Sequence, residues 1–312
     1  MSVLTFSFPV VFHTPVLVGE VLSFLPDITD GWVVDATAGG GGHTREILRT
    51  GRKVLAIDQD VEAVNELKRQ FGTELEKQQL KIAHGNFAHL LSIIKTNKVQ
   101  SVAAVLFDLG LSTFQIKRSG RGFSFQSDEA LDMRMNTEAA ETAKDLLNRA
   151  SQEELTGIFI RFGEERLAAQ IAEKIVHARR QKALETTEEL VQLVNGVYEE
   201  ARVHSLMSPA TKTFQALRIS VNNELNALRN ALPQAFDLLE PNGRLLVISF
   251  HSLEDRIVKQ YFQSQVASGK ARLVTKKPVV AGEAEVRSNR SSRSAKLRVL
   301  EKYEFQSSQV GS

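Results

Sequence analysis

The chain has no cysteine. Disulfides, thiolate zinc sites and cysteine nucleophiles are therefore excluded from its chemistry. Long apolar runs are missing too. The N-terminal run Val3 to Phe12 is interrupted by Thr5 and Ser7 and is too short to span a bilayer. It lacks a basic leading region and a small-residue cleavage site, so neither a signal peptide nor a membrane partner is expected, and the cytoplasm is the expected location. The formal net charge is only +2, which by itself names no partner. There is no internal repeat. No Walker lysine follows the glycines, so phosphate transfer is not expected. What is present is ordinary for a globular protein: 312 residues, 42% hydrophobic and 24% charged, give room for one large or two medium domains with a proper core.

One stretch organises the rest, Asp35-Ala-Thr-Ala-Gly-Gly-Gly-Gly-His43. The apolar Trp32-Val-Val34 leads in and a helix-like segment, Thr44 to Arg49, leads out. Strand, glycine loop and helix start bring backbone N–H groups and a positive helix end against a ligand. For the glycine run alone, a flexible surface loop is the alternative. Lys53-Val-Leu-Ala-Ile-Asp58 reads as a second strand whose final carboxylate lies 19 residues after Gly39. In nucleotide-binding βαβ units a carboxylate at about that distance holds a ribose diol. The dinucleotide fingerprint itself fails, because Thr44 stands where its third glycine belongs. The spacing Asp35-x-Thr37-x-Gly39-x-Gly41 looks instead like the S-adenosylmethionine (SAM) loop of Rossmann-like methyltransferases.

The following residues extend the pattern. Val16, Leu17, Val21 and Leu22 suggest a short helix before the first strand, and Asp60 is placed to cap a helix over Val61–Phe71. Leu80 to Phe87 reads as a third strand and its exit, and Leu90, Leu91, Ile93 and Ile94 as a helix. Val102-Ala-Ala-Val-Leu-Phe-Asp108 is a continuous apolar run of the kind that a buried parallel strand shows. The order β-α-β-α-β-α-β predicts an α/β, doubly wound sheet with its ligand site at the carboxyl ends of the strands. Asp35, Asp58, Phe87 and Asp108 all fall at such ends.

After Asp108 the pattern changes. Arg118 to Phe125 is a Gly/Ser/Arg/Phe loop, and from there to about Asn195 the chain reads as helix. Ser151-x-x-Glu154 and Thr186-x-x-Glu189 have the form of capping boxes. This reads as an inserted helical domain. The sheet pattern resumes with a helix from Thr213, a turn at Pro241-Asn-Gly-Arg, and the strand Leu245–Ser249. Arg272–Val274 and Leu297–Leu300 suggest a closing antiparallel hairpin, with a mobile loop over Ala281–Ser294 between them. From Lys270 to Lys302 there are ten Lys/Arg against three Glu, either a phosphate-facing patch or a solvated surface segment.

Several blocks closely resemble the bacterial small-subunit rRNA cytosine-N4 methyltransferase family (RsmH/MraW type). They are His13-Thr-Pro-Val-Leu, Gly41-Gly-His43, Leu55-Ala-Ile-Asp-Gln-Asp60, Asp108-Leu-Gly-Leu-Ser112, Arg121-Gly-Phe-Ser-Phe125, Leu131-Asp-Met-Arg-Met135, Phe162-Gly-Glu-Glu-Arg166, Pro209-Ala-Thr-Lys-Thr-Phe-Gln-Ala-Leu-Arg-Ile219 and Ile248-Ser-Phe-His-Ser-Leu-Glu-Asp-Arg-Ile257. The glycine loop is generic to SAM enzymes; Leu131–Met135 and Ile248–Ile257 are the specific ones. The resemblance implies a Rossmann-like class I SAM methyltransferase sheet with an inserted all-helical substrate domain. Residues 1–112 and 213–302 would form the SAM domain, 113–212 the helical one and 303–312 a tail. It also implies the activity: SAM-dependent methylation of the N4 amine of one cytosine of 16S rRNA, near the P site in the decoding centre. The partner would be the small ribosomal subunit, and the protein a monomer or homodimer. Where the family commonly has His-Pro-Ala-Thr-Arg, this chain has Ser208-Pro-Ala-Thr-Lys212, with a histidine earlier at His204.

Carried over by position, the SAM contacts fall on Gly41, Gly42, His43, Asp58, Phe87, Asp108 and Gln115, with no metal. Loop N–H groups suit the methionine carboxylate, Asp58 the ribose hydroxyls, and Phe87 the adenine. The cytosine N4 lone pair is delocalised into the ring, so the amine must be held in line with the methyl donor. Asp108 is the expected anchor for that amine, with Ser249 to Ser252 as the facing wall. Ser249 and His251 complete the catalytic candidates; for His251 the alternative is a bond to Glu254 or Asp255 that shapes the turn. Arg121, Phe123 and Phe125 are either planes for RNA bases or anchors into the core. Two rivals remain: a SAM methyltransferase acting on another nucleic acid or a small amine, and a non-catalytic RNA-binding assembly factor that keeps SAM as a structural ligand. Turnover separates the second rival from an enzyme.

Overall fold

A computed structural model describes residues 15–303 except 29, 113, 114, 117, 118, 206 and 207. His13 and Thr14 of the first block, Arg118, and residues 304–312 of the expected tail lie outside the described residues. The first half runs α1 (Val18–Ser23), β1 (Trp32–Asp35), α2 (Gly42–Arg49), β2 (Val54–Asp58), α3 (Val61–Gln70), α4 (Gly72–Glu76), β3 (Leu80–His84), α5 (Leu90–Thr96) and β4 (Val102–Asp108). Among the described residues, helices then follow without a strand: α6 (Ala143–Arg149), α7 (Gln152–Gly163), α8 (Ala168–Ala178), α9 (Thr187–Glu200), α10 (Ala210–Asn222) and α11 (Glu224–Leu238). The chain closes with β5 (Leu239–Ser249), α12 (Ser252–Ala267), β6 (Ala271–Leu273), β7 (Val279–Val280), α13 (Glu283–Ser288) and β8 (Lys296–Lys302).

The sheet order is β3-β2-β1-β4-β5-β8-β6, with β7 paired to β8. The five strands from β3 to β5 are parallel. β8 runs antiparallel to β5 and β6, which is the expected closing hairpin. Strand side chains alternate between two faces. Val34, Leu55, Val105 and Val247 enter one core with Leu90 of α5, Leu228 of α11 and Phe262 of α12. Val33, Val54, Leu106 and Leu246 enter the other with Val21 of α1, Ile47 of α2 and Leu67 of α3. Burial on both faces explains why these strands are apolar runs rather than alternating ones. The order reverses between β1 and β4, so a crevice opens at the carboxyl ends of these two strands.

The helical stretch has its own core, built on Leu147, Phe159, Ile171, Ile175, Leu190 and Val194. The expected boxes cap α7 and α9. Helix α10, anticipated as the return to the sheet, packs through Phe214, Ala216 and Leu217 into this helical core, and Ile219 reaches the sheet core. It ends at Asn223, whose φ of 50° breaks the expected single helix into α10 and α11. Two further local expectations are corrected. Pro241–Arg244 is not a turn between elements but a bulge within β5, because the strand leaves its pairing at Leu239↔Val102 and rejoins it at Arg244↔Ala104. Proline has no N–H to contribute to a ladder there. Residues 281–294, expected as a mobile loop, contain α13 and a 3-10 turn. Their order comes from polar caps that composition hides: the Asn289 side chain accepts from Ser291 N–H, and Glu285 accepts the Leu17 N–H at 2.8 Å. Among the described residues no helix is long and apolar enough to cross a membrane.

Candidate active site

The glycine loop is laced to three strand ends. Gly41 sits just before α2 with φ 78°. A Cβ there would stand 2.6 Å from the Phe71 ring, so only glycine lets the loop lie this close to α3. Gly39 N–H donates to one oxygen of Asp58 at 2.7 Å, and Asp60 N–H donates to the other at 2.8 Å. The Thr44 hydroxyl donates to Asp35 at 2.6 Å. The Asp108 N–H donates to the Thr37 hydroxyl at 2.7 Å, which ties β4 to the loop.

These bonds frame a cleft lined, among others, by Gly39, Gly42, His43, Asp58, Phe87, Asp108 and Gln115. Six of the seven SAM-contact candidates therefore meet on one cleft; Gly41 shapes the loop behind it. Burial pushes the Asp58 carboxyl up to about 6, against the pull of the two backbone N–H groups that it accepts. Burial likewise raises Asp35. For His43 burial opposes the charge, but the hydrogen bond and negative charge of Asp108 outweigh it and the net shift is upward. The His43 Nε2 lies 3.3 Å from Asp108 Oδ2, with His43 only 5% exposed. The β1–β2–β4 side thus sets the buried His43 beside the carboxylates of Asp35 and Asp108.

Gln115 also has a structural task. Its amide nitrogen donates to Asp60 at 3.1 Å, and its oxygen accepts the Ser112 N–H. Asp60 caps α3, as expected, and also receives Arg121 at 2.5 Å. Arg121 further donates to the carbonyls of Arg134 and Met135. Phe123 is buried in the helical core, and Phe125 meets Phe214 edge-on at 5.2 Å. Arg121 therefore ties the helical region to the start of α3, and Phe123 and Phe125 anchor the loop in the helical core instead of standing open as planes for bases.

The opposite wall comes from α10, α11, the turn after β5 and the start of α12: Asn222, Glu224, Phe250 and Glu254 line it, together with Met135. Sequence reading missed these as individual site residues. Phe250 and Glu254 lie inside the block Ile248–Ile257, and Asn222 and Glu224 just beyond Pro209–Ile219, so the blocks carried the signal and the spacing did not. Asn222 accepts the Met135 N–H and donates to the Met133 carbonyl, both at 2.7 Å. Glu224 pairs with both arms of Arg218 at 2.8 and 3.0 Å. Burial raises the Glu224 carboxyl, with Arg218 opposing.

Ser249 and His251 do not line the cleft. Ser249 is 2% exposed beneath the turn. His251 caps α12: its Nδ1 accepts the Glu254 N–H at 3.4 Å, and its Nε2 lies 3.1 Å from Glu254 Oε1. Burial works against charge on Glu254, but His251 outweighs it and holds this carboxyl below its ordinary range. The bond that shapes the turn is thus the one present. Lys212 donates to the Glu164 carbonyl at 2.9 Å, and His204 is exposed away from the cleft.

In the basic C-terminal segment several cations are already engaged. Arg272 and Arg244 share Glu301, Arg298 holds Asp255, and Lys302 donates to the Leu239 carbonyl. Lys276, Lys277, Arg290 and Arg293 are exposed. Among the described residues no group of His, Asp and Glu is arranged to hold a metal ion.

The model of the MraW methylase family matches residues 10–303. A protein of Persephonella marina named ribosomal RNA small subunit methyltransferase H is 44% identical over 292 residues, covering 93% of this chain and 99% of that protein. Its namesake from Syntrophotalea carbinolica is 44% identical over 307 residues, covering 92% and 97%.

Proposed function

The chain belongs to the MraW methylase family, and from that premise we propose that it methylates the exocyclic N4 amine of one cytosine of 16S rRNA, in the decoding centre of the small subunit, with SAM as methyl donor. The observation that carries this reading is the meeting of the glycine loop, Asp58, Phe87 and Asp108 on one cleft. The names of the relatives support the RNA as substrate.

The residues fit SAM part by part. The loop and the start of α2 offer N–H groups to the methionine carboxylate. Each Asp58 oxygen already accepts one backbone N–H and keeps further acceptor capacity for a ribose hydroxyl. Phe87, braced edge-on against Phe107 at 5.5 Å, offers a face to adenine. When bound, SAM supplies an electrophilic sulfonium methyl. Asp108, oriented by His43 and by its own N–H on Thr37, accepts a hydrogen bond from the N4 amine and holds it in line as positive charge develops. In-line positioning of this kind contributes about 7–11 kcal/mol to a transfer. A cytosine must be unstacked to reach the cleft. His251 acts through Glu254, fixing the wall that faces Asp108.

The test is methyl transfer from labelled SAM to small subunits from a strain lacking this gene, with naked 16S rRNA alongside, followed by nucleoside analysis. N4-methylcytosine at one position is the expected result. No transfer to either, with SAM binding intact, would overturn the reading.

A further inference from the structure

Two phenyl rings line the cleft among the described residues, Phe87 at the exit of β3 and Phe250 at the exit of β5. Phe87 is accounted for by adenine. Phe250 has no assigned task, yet its position is built. The exit of β4, Asp108-Leu-Gly-Leu, carries no aromatic of its own. Gly110 in that exit has φ +113°, and a Cβ there would stand 3.2 Å from the Phe250 ring. The ring therefore lies against the turn that follows Asp108, in space that glycine leaves. The Phe250 N–H donates to Glu254 Oε2 at 2.8 Å. Glu254 is 3% exposed and held from its other oxygen by His251. Below, the ring packs against the core that contains Leu246, Ile248 and Leu297; it is partly buried, and the remainder faces the cleft.

We propose that Phe250 is the stacking platform for the acceptor base and so determines where that base sits relative to Asp108. The inference rests on the proposed function, in which the acceptor is an unstacked cytosine. A base taken out of its stack loses π contacts on both faces, and proteins that hold single-stranded RNA restore them with aromatic planes. From Phe250 the edge of the base points towards the neighbouring Asp108 exit, where its amine meets the anchor. The His251–Glu254 pair then has a reason: it fixes the backbone that carries the ring.

The test compares wild type, Phe250→Leu and Phe250→Tyr in labelled methyl transfer to the same unmodified subunits, with SAM Kd and Tm measured in parallel. Phe250→Leu is expected to lose about 10- to 100-fold in kcat/KM for the RNA, the range that one base–aromatic stack contributes. Its SAM Kd stays unchanged, and Phe250→Tyr keeps most of the activity. If Phe250→Leu fails to fold, Phe250→Met takes its place. Transfer by the leucine variant at the wild-type rate overturns the inference alone, as does equal impairment of the leucine and tyrosine variants. No cytosine methylation by wild type overturns the functional reading and this inference with it.

Discussion

The two ends of the cleft are made differently. The glycine-loop end is held mostly by short-range bonds: Thr44 to Asp35 spans nine residues and Gly39 to Asp58 spans 19, while the Asp108 bond to Thr37, spanning 71, joins β4 to them. The far wall has local bonds as well, such as Phe250 to Glu254, but is held in place by long-range ones. The Asn222 bond to Met133 spans 89 residues, and Arg256 to Glu164 spans 92. Strands β1 and β2, the loop and the helix start build most of the first end, and β4 completes it through Asp108. The second exists only once the helical region has docked on the sheet, since Glu164, at the end of α7, reaches Ser252 and Arg256 on α12. A site that needs rigid donor binding and shaped acceptor binding divides those tasks between a local and a composite wall.

The sharpest way to break this arrangement is at the strut between the two regions. Arg121 and Asp60 are 8% and 1% exposed, so Arg121→Ala strands a buried carboxylate. It is expected to cost about 3–5 kcal/mol in urea unfolding. A loss below about 1 kcal/mol would mean that the two regions stand without the strut.

Next in size is the local end. Asp58→Asn is expected to weaken SAM binding about 10- to 100-fold by calorimetry, the worth of a charge-assisted hydrogen bond. The pH dependence sharpens it. With the Asp58 carboxyl pushed up to about 6, beside the charges of Asp35 and Asp60, the ionised acceptor is lost as pH falls through about 6. Wild-type SAM affinity is expected to fall about tenfold per pH unit below that point, and the Asn variant to lack that slope. The sign reverses for the unliganded fold. A carboxyl raised above its unfolded value adds stability that is fully present below the unfolded pKa and is lost as pH rises through about 6. An identical pH slope in both proteins would remove Asp58 from the ribose.

The smallest effect belongs to the outer latch. Glu164 and Arg256 are 46% and 54% exposed. Glu164→Ala is expected to lower stability by only about 0.2–1 kcal/mol in the same urea assay. A larger loss would make this latch, and not Arg121, the principal joint.

How much of this was legible before folding follows the same division. Asp35, Asp58, Phe87 and Asp108 stand at strand ends, and a strand end is a local property of an apolar run. The capping boxes at Ser151 and Thr186 were legible because both partners sit within one turn. The box at His251 was legible only as one of two readings, because histidine is an unusual N-cap and the same residue type suggests proton transfer; the bond to Glu254 is the one present. The boxes also do not say what faces the cleft. Arg121, Phe123 and Phe125 had the composition of an RNA-binding loop; a buried acid at Asp60 and the ring of Phe214, neither a sequence neighbour, turned them inward.

The sequence by itself determined the sheet, the glycine loop and the family, since these depend on period, turn residues and motifs within some twenty residues. The tertiary structure decided which residues form the second wall, whether each histidine faces ligand or cap, and how much of the basic C-terminal charge is already paired. Those outcomes depend on contacts between segments far apart in the chain, whose partners no local pattern names. Burial then sets their charge states by removing water from groups that composition alone leaves looking exposed.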